Sequence, residues 1–164
     1  MQTFLPDRDF AKSAEFLDDL RLNKQAVEVK QIYRALTDPD AKGWKNHPAT
    51  LMWKGCENLL LVYGFQMANE WIVRGHQTKL FDEFKEKIIL NRCLELRYPV
   101  WLGDERLHSS HRKSLLSKNF HWYKHFGWPE TESVLAWYEE NNWEGQAPYE
   151  NFWPTKHSTQ SKEK

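Results

Sequence analysis

The sequence predicts an all-α protein, a single compact helical domain. Three observations carry that prediction. Apolar residues recur three and four positions apart over long stretches. No alternating run is long enough to require a strand, and no internal repeat or linker divides the chain. A length of 164 residues fits one domain. A chain of that size buries about 70% of its unfolded surface, enough for one core without staples. The domain is expected over residues 1–157, followed by a frayed polar tail over 158–164.

The elements follow in order. From Asp9 to Leu36, Phe10, Ala14, Leu17, Leu20, Val27 and Ile32 fall at helical spacings. Asp7 or Asp9, just after Pro6, is positioned to cap the start, and the Asp18–Asp19 pair marks a kink or a break. Thr37-Asp38-Pro39-Asp40 reads as a loop that Gly43 extends. A second helix is expected from Pro48, where a first-turn proline is tolerated, with Asn46 or His47 as its cap. It carries Leu51, Met52, Leu59, Leu60, Tyr63, Met67 and Trp71 and stops near Gly75. A third runs from Thr78 to Leu94, and Pro99 interrupts the chain. Asp104 to Leu116, Asn119 to Phe126 and Glu130 to Glu140 complete the set.

Composition narrows the class. Hydrophobic residues make up 40% of the chain, which excludes a disordered charged tail. No apolar run approaches the ~18 residues of a membrane span. The start MQTFLPDRDF lacks the basic and apolar regions of a signal peptide. Cys56 and Cys93 are therefore expected to be reduced and buried, and the protein cytoplasmic. Aromatic residues reach 15% with 9 Trp, although the mean hydropathy is −0.80. Rings must sit among charged neighbours, in the core, on a binding face, or both.

The 23 basic and 23 acidic residues cancel globally but not locally. Arg106 to Trp128 contains no acidic residue and holds Arg106, Arg112, Lys113, Lys118 and Lys124 with four histidines and five rings. Pro129 to Thr155 inverts this, with six glutamates and no Lys or Arg. Cations that neutralise phosphates, interleaved with rings that stack on bases, suit a nucleic-acid surface. A solvated basic helix face beside a core aromatic cluster gives the same composition. His108 and His111, and His121 and His125, share helix faces as metal ligands do, but no third ligand type lies nearby, so no metal site is expected. His47 is either a cap or a polar group at a site mouth. Arg21, Gln25 and Glu28 share one helix face, with Lys24 four residues before Glu28. They form either a surface ion-pair row or a polar cluster inside a site.

Several of these segments together resemble the pyrimidine dimer DNA glycosylases, also called phage-type endonuclease V, and more closely a divergent bacterial and phage branch of them. The shared segments are MQTFLP (Met1 to Pro6), RLxKQ (Arg21 to Gln25), GWxNHPA (Gly43 to Ala49), MWxG (Met52 to Gly55) and WLGDExxHxSH (Trp101 to His111). WYKHFG, Trp122 to Gly127, is similar to the family's aromatic-basic DNA-contacting segment. The resemblance spans roughly residues 1–128 and implies a small all-helical, monomeric, cofactor-free enzyme acting on double-stranded DNA with a damaged or modified base.

The resemblance also implies chemistry. The family uses its own α-amino group to attack deoxyribose C1′, expels the base, forms an imine and nicks the strand by β-elimination. An α-amine with a pKa near 8 keeps a neutral fraction at pH 7 that a lysine near ~10.4 does not. Bulky Gln2 predicts that Met1 is retained, so the Met1 amine is the expected nucleophile. Arg21 falls on the family's site arginine, but the catalytic glutamate that follows it there is Leu22 here. Glu28, Asp18 or Asp19 is then expected to take the acid role, with Glu28 favoured by its shared face. Gln25 falls on a second family arginine. Expected substrate contacts are Gln25, Lys24, His47, Arg112, Lys113, Trp122, Tyr123 and Lys124. Trp44, Trp53 and Trp71 are assigned to the core, and Trp122 and Trp128 to the DNA face. A non-enzymatic nucleic-acid-binding module and a metal-assisted nuclease are the competing readings.

Overall fold

The computed structural model describes residues 2–157, and every regular element among them is helical. The order is α1 (Phe10–Phe16), α2 (Asp19–Thr37), α3 (Pro48–Leu51), α4 (Glu57–Val73), α5 (Leu80–Leu90), α6 (Glu105–Lys118), α7 (Phe120–Tyr123), a 3-10 turn (Lys124–Phe126), α8 (Thr131–Glu140) and α9 (Pro154–His157). The expected tail over 158–164 lies outside the described residues, as does Met1.

Short acidic side chains set the starts of α1, α2 and α6. Asp9 accepts from the Lys12 amide at 2.9 Å, Asp18 from Arg21 at 3.0 Å and Asp104 from Arg106 at 3.0 Å. Each satisfies an N–H that the helix leaves without a partner. The Asp18–Asp19 pair is thus a break, with Asp18 capping α2. The long helix expected from Pro48 to Gly75 is divided. α3 lasts one turn, Gly55 takes a left-handed φ of +84°, and α4 starts at Glu57. His47 is the cap of α3, its Nδ1 accepting from the Ala49 amide at 3.1 Å.

The core is a layered packing in which α4 lies against α1, α2 and α5, while α6 packs on α7 and α8. Gly64 of α4 makes the central approach possible. A Cβ there would sit 2.6 Å from Val29 Cγ1 and 3.0 Å from Phe84 Cε2. Rings fill much of the rest. Trp53 and Trp101 meet edge to face at 5.0 Å, and each indole N–H is satisfied, Trp53 by Thr3 Oγ1 and Trp101 by the Met52 carbonyl.

Several assignments change. Trp44 is not in the core: it is 51% exposed on a left-handed φ of 58°. Trp71 is half-buried and stacks on His76, while Trp128, expected on the DNA face, is buried against Tyr123 and Phe16. Cys93 is an exposed free thiol and Cys56 a half-buried one, so neither is the buried cysteine that the sequence predicts.

Candidate active site

The chain start is an extended segment that runs through the core without a strand partner. Its buried main-chain groups still need hydrogen bonds, and side chains from three helices supply them. The Gln2 N–H donates to Glu28 Oε2 at 2.9 Å, and the Gln2 carbonyl accepts from Gln25 Nε2 at 2.9 Å. The Phe4 N–H donates to Gln25 Oε1 at 2.8 Å, and the Phe4 carbonyl accepts from Tyr63 Oη at 2.7 Å. The Leu5 N–H donates to His111 Nδ1 and the Leu5 carbonyl faces His108 Nδ1, both at 2.8 Å. Arg112 donates to the Pro6 carbonyl at 3.0 Å.

The histidine tautomers follow from their partners. The Gly103 N–H donates to His108 Nε2, so the neutral ring carries its proton on Nδ1 and gives it to Leu5. His111 accepts at Nδ1 and so carries its proton on Nε2, which has no partner. Burial, with His108 adding to it, pulls the His111 pKa down to about 3. Both rings hold the chain start in place, and three of their four nitrogens are occupied by main chain. Among the described residues no group of three His, Cys, Asp or Glu side chains could hold a metal ion.

Beside this segment lies an open cleft of about 290 Å³. α2 lines it with Leu20, Arg21, Lys24, Gln25 and Glu28, and the chain start adds Gln2 and Phe4. α6 contributes Ser114 and Lys118, and the stretch after α8 contributes Tyr149 and Asn151. Arg21, Lys24, Gln25 and Glu28, which share a face in the sequence, are thus brought together on one wall. Gln25 is buried, and its amide is committed to Gln2, Phe4, Tyr63 and Glu28, so it acts as a clamp rather than a free substrate contact. Leu22, at the family's glutamate position, is fully buried in the core. Of the three carboxylates open to the acid role, Asp18 caps α2 and pairs with Arg21, and Asp19 is bound by Arg74. Glu28 is the one that lines the cleft. Burial pushes the Asp18 carboxyl up, but bonds from Tyr123 and Arg21 outweigh it and hold the group below its ordinary value.

The basic, ring-rich stretch separates into inward and outward parts. Tyr123 is fully buried and donates to Asp18 Oδ2 at 2.7 Å. It orients Asp18, and through it Arg21, rather than facing DNA. Arg112 is also buried, bound to Glu130, Glu105 and the Pro6 carbonyl. Its charge is neutralised inside the protein, so it offers no free phosphate contact. Trp122, Lys113 and Lys124 are exposed. The Trp122 indole N–H is bound to the Phe16 carbonyl at 2.8 Å, which fixes the ring at the surface. Lys113 borders a separate shallow hollow with Tyr149 and Glu150.

His47 is not part of the cleft lining. It caps α3 and meets the rings of Trp44 at 5.2 Å and Trp153 at 6.0 Å. Burial holds its imidazole below the ordinary value, with a smaller push from the positive charge of the amino terminus. Sequence reasoning missed Gln2, Ser114, Tyr149 and Asn151 as cleft residues. Lys118 carried a signal through its place in the basic stretch, whereas Tyr149 and Asn151 sit in an acidic segment and carried none.

Comparison with known proteins gives one family. A family model described as pyrimidine dimer DNA glycosylase matches residues 1–84, just over half of the 164 residues. No curated protein and no solved structure gives a match. The matched part holds the clamped chain start, α1 to α4 and one wall of the cleft. α6 and the stretch beyond it lie outside the match.

Proposed function

The chain belongs to the pyrimidine dimer DNA glycosylase family, and from that membership we propose that it removes a damaged or modified base from duplex DNA and then nicks the abasic strand. The Met1 α-amine is the nucleophile. Its lone pair forms a bond to C1′, and the base leaves with the electrons of the glycosidic bond and takes up a proton. Ring opening yields an imine. Loss of a C2′ proton then breaks the C3′–O bond, and the 3′ phosphate departs with that electron pair.

One observation carries this reading: the Gln2 N–H is bound to Glu28 Oε2 at 2.9 Å beside the cleft. The α-amino nitrogen is three covalent bonds from that amide nitrogen, a reach on the order of 3–4 Å. Covalent geometry alone therefore keeps the amine within about 7 Å of Glu28 Oε2, which supports Glu28 as the group that serves it. As a carboxylate it stabilises the cationic sugar while the base departs, then takes the proton that the attached amine releases and passes it to O4′ as the ring opens. Lys24, with Lys118 across the cleft, provides positive charge for the phosphates on either side.

Borohydride reduction tests the reading. Untagged protein with its native start, incubated without metal on a duplex holding one abasic site, is expected to form a covalent adduct that maps to Met1. Absence of the adduct, with the same DNA still bound, would favour the reading as a binding module. That alternative draws on one observation, the core leucine at the family's glutamate position. A panel of duplexes carrying cyclobutane dimers and modified bases then identifies the base removed.

A further inference from the structure

The stretch after α8 lines the cleft as a strap fastened at both ends. On one side Ala147 is buried, its carbonyl bound by the Ser117 hydroxyl and its N–H directed at Tyr138 Oη. On the other, the Phe152 N–H reaches Ser110 Oγ at 3.4 Å, Arg106 lies over the Phe152 ring at 4.8 Å, and Trp153 meets His47. Tyr149 lies between these fastenings, half-buried, with its side chain lining the cleft. Lys118 Nζ stands 5.0 Å from its ring centroid. The hydrogen bond and charge of Lys118 lower the phenol from its ordinary value despite some burial.

We propose that Tyr149 is the stacking surface on which an extrahelical nucleobase rests in the cleft, so that the strap, outside the family match, decides which base is accepted. The inference rests on the cleft being the DNA-facing site. Three features support it. The cleft is at the small end of the range for ligand sites, suited to one base rather than a length of strand. The strap carries Glu144 and Glu150 and no cation, so it repels phosphates and leaves the uncharged base as the group it can meet. A ring lining a polar cleft offers a base the π-face that sequence-tolerant stacking needs. Lys118, 5.0 Å from the centroid of the same ring, supplies a cation for the flanking phosphate.

Photo-cross-linking tests this without requiring turnover. The full untagged chain is bound to a duplex with one tetrahydrofuran abasic analogue. 5-Iododeoxyuridine replaces, in turn, the nucleotide opposite the analogue and those on either side. A cross-link is expected on Tyr149. Tyr149→Ala should remove it and weaken binding on the order of tenfold or more, while Tyr149→Phe keeps both. Cross-links that avoid Tyr149, or Tyr149→Ala binding within about twofold of wild type, overturn the proposal. So does a Tyr149→Phe variant that behaves like Tyr149→Ala, because the hydroxyl and not the ring would then be the contact. Borohydride trapping on natural abasic DNA runs in parallel. No trapping with Tyr149 cross-linked removes the lyase reading alone, and trapping without a Tyr149 cross-link removes the stacking role alone.

Discussion

Residues 2–6 carry no charged side chain and no regular structure, whereas residues 106–128 are largely helical and rich in cations and rings. The first region nevertheless lies beside the cleft, and the second turns much of its polar chemistry inward. His108, His111, Arg112 and Tyr123 all serve the chain start or α2: two bind Leu5, one binds Pro6, and one orients Asp18. Charge density therefore marks where polar groups are needed without saying which way they face. The uncharged segment is held because the buried groups around it are committed to it.

The difference between the regions can be broken at several points. The largest effect is expected from Glu28→Gln, which keeps an acceptor for the Gln2 N–H but removes the carboxylate. Turnover on abasic DNA should fall on the order of 10²–10⁴-fold with DNA affinity unchanged, as single-turnover kinetics and a binding titration would report. Unchanged turnover would transfer the acid role to Asp18 or Asp19. Next, Gln25→Ala leaves the Phe4 N–H and the Gln2 carbonyl each short of a partner. Denaturant unfolding should show a loss of about 2–4 kcal/mol, with adduct formation lost alongside it.

A pH profile sharpens the same contrast. His111 is neutral and buried with a folded pKa of about 3, below its value in an unfolded chain. The unfolded state then binds the extra proton between roughly pH 6.5 and pH 3. Stability should fall as pH drops through that window, with a slope of up to about 1.4 kcal/mol per unit from this group. His111→Gln, which does not titrate, should flatten that acid limb in urea titrations run at several pH values. The smallest effects separate the inward and outward halves of α7 and its turn. Tyr123→Phe should cost about 0.5–1.5 kcal/mol of stability and leave the salt dependence of DNA binding unchanged. Lys124→Ala should leave stability alone and reduce the salt slope by about 1. If Tyr123→Phe altered the slope instead, the buried placement of the ring would be wrong for the bound state.

Much of the fold is legible in the sequence because local chemistry decides it. Asp9, Asp18 and Asp104 are short acceptors placed before helical periodicity, and each caps a helix. One wall of the cleft is legible for the same reason, since the spacing of Arg21, Gln25 and Glu28 sets their shared face without tertiary information. The opposite wall is not. Tyr149 and Asn151 reach α2 only through the strap, and no local pattern encodes a contact more than a hundred residues away. Orientation is also hidden: Arg112 and Lys113 are neighbours of like charge, yet one is buried in an ion-pair network and the other is exposed. Trp44 misleads for a related reason, because a large ring favours burial on average but the left-handed backbone at this position turns it outward.

The clamp on the chain start has a consequence during synthesis. Leu5 leaves the ribosome well before His108 and His111, the partners that hold it, which follow 103 and 106 positions later. At about 5–20 residues per second, translation needs roughly 5–20 s to supply them. Until then Leu5 lacks both of these partners, and the cleft lacks the residues that α6 contributes. Residues 2–6 are thus fully clamped only after α6 is made, and a nascent chain does not complete the cleft before most of these 164 residues exist.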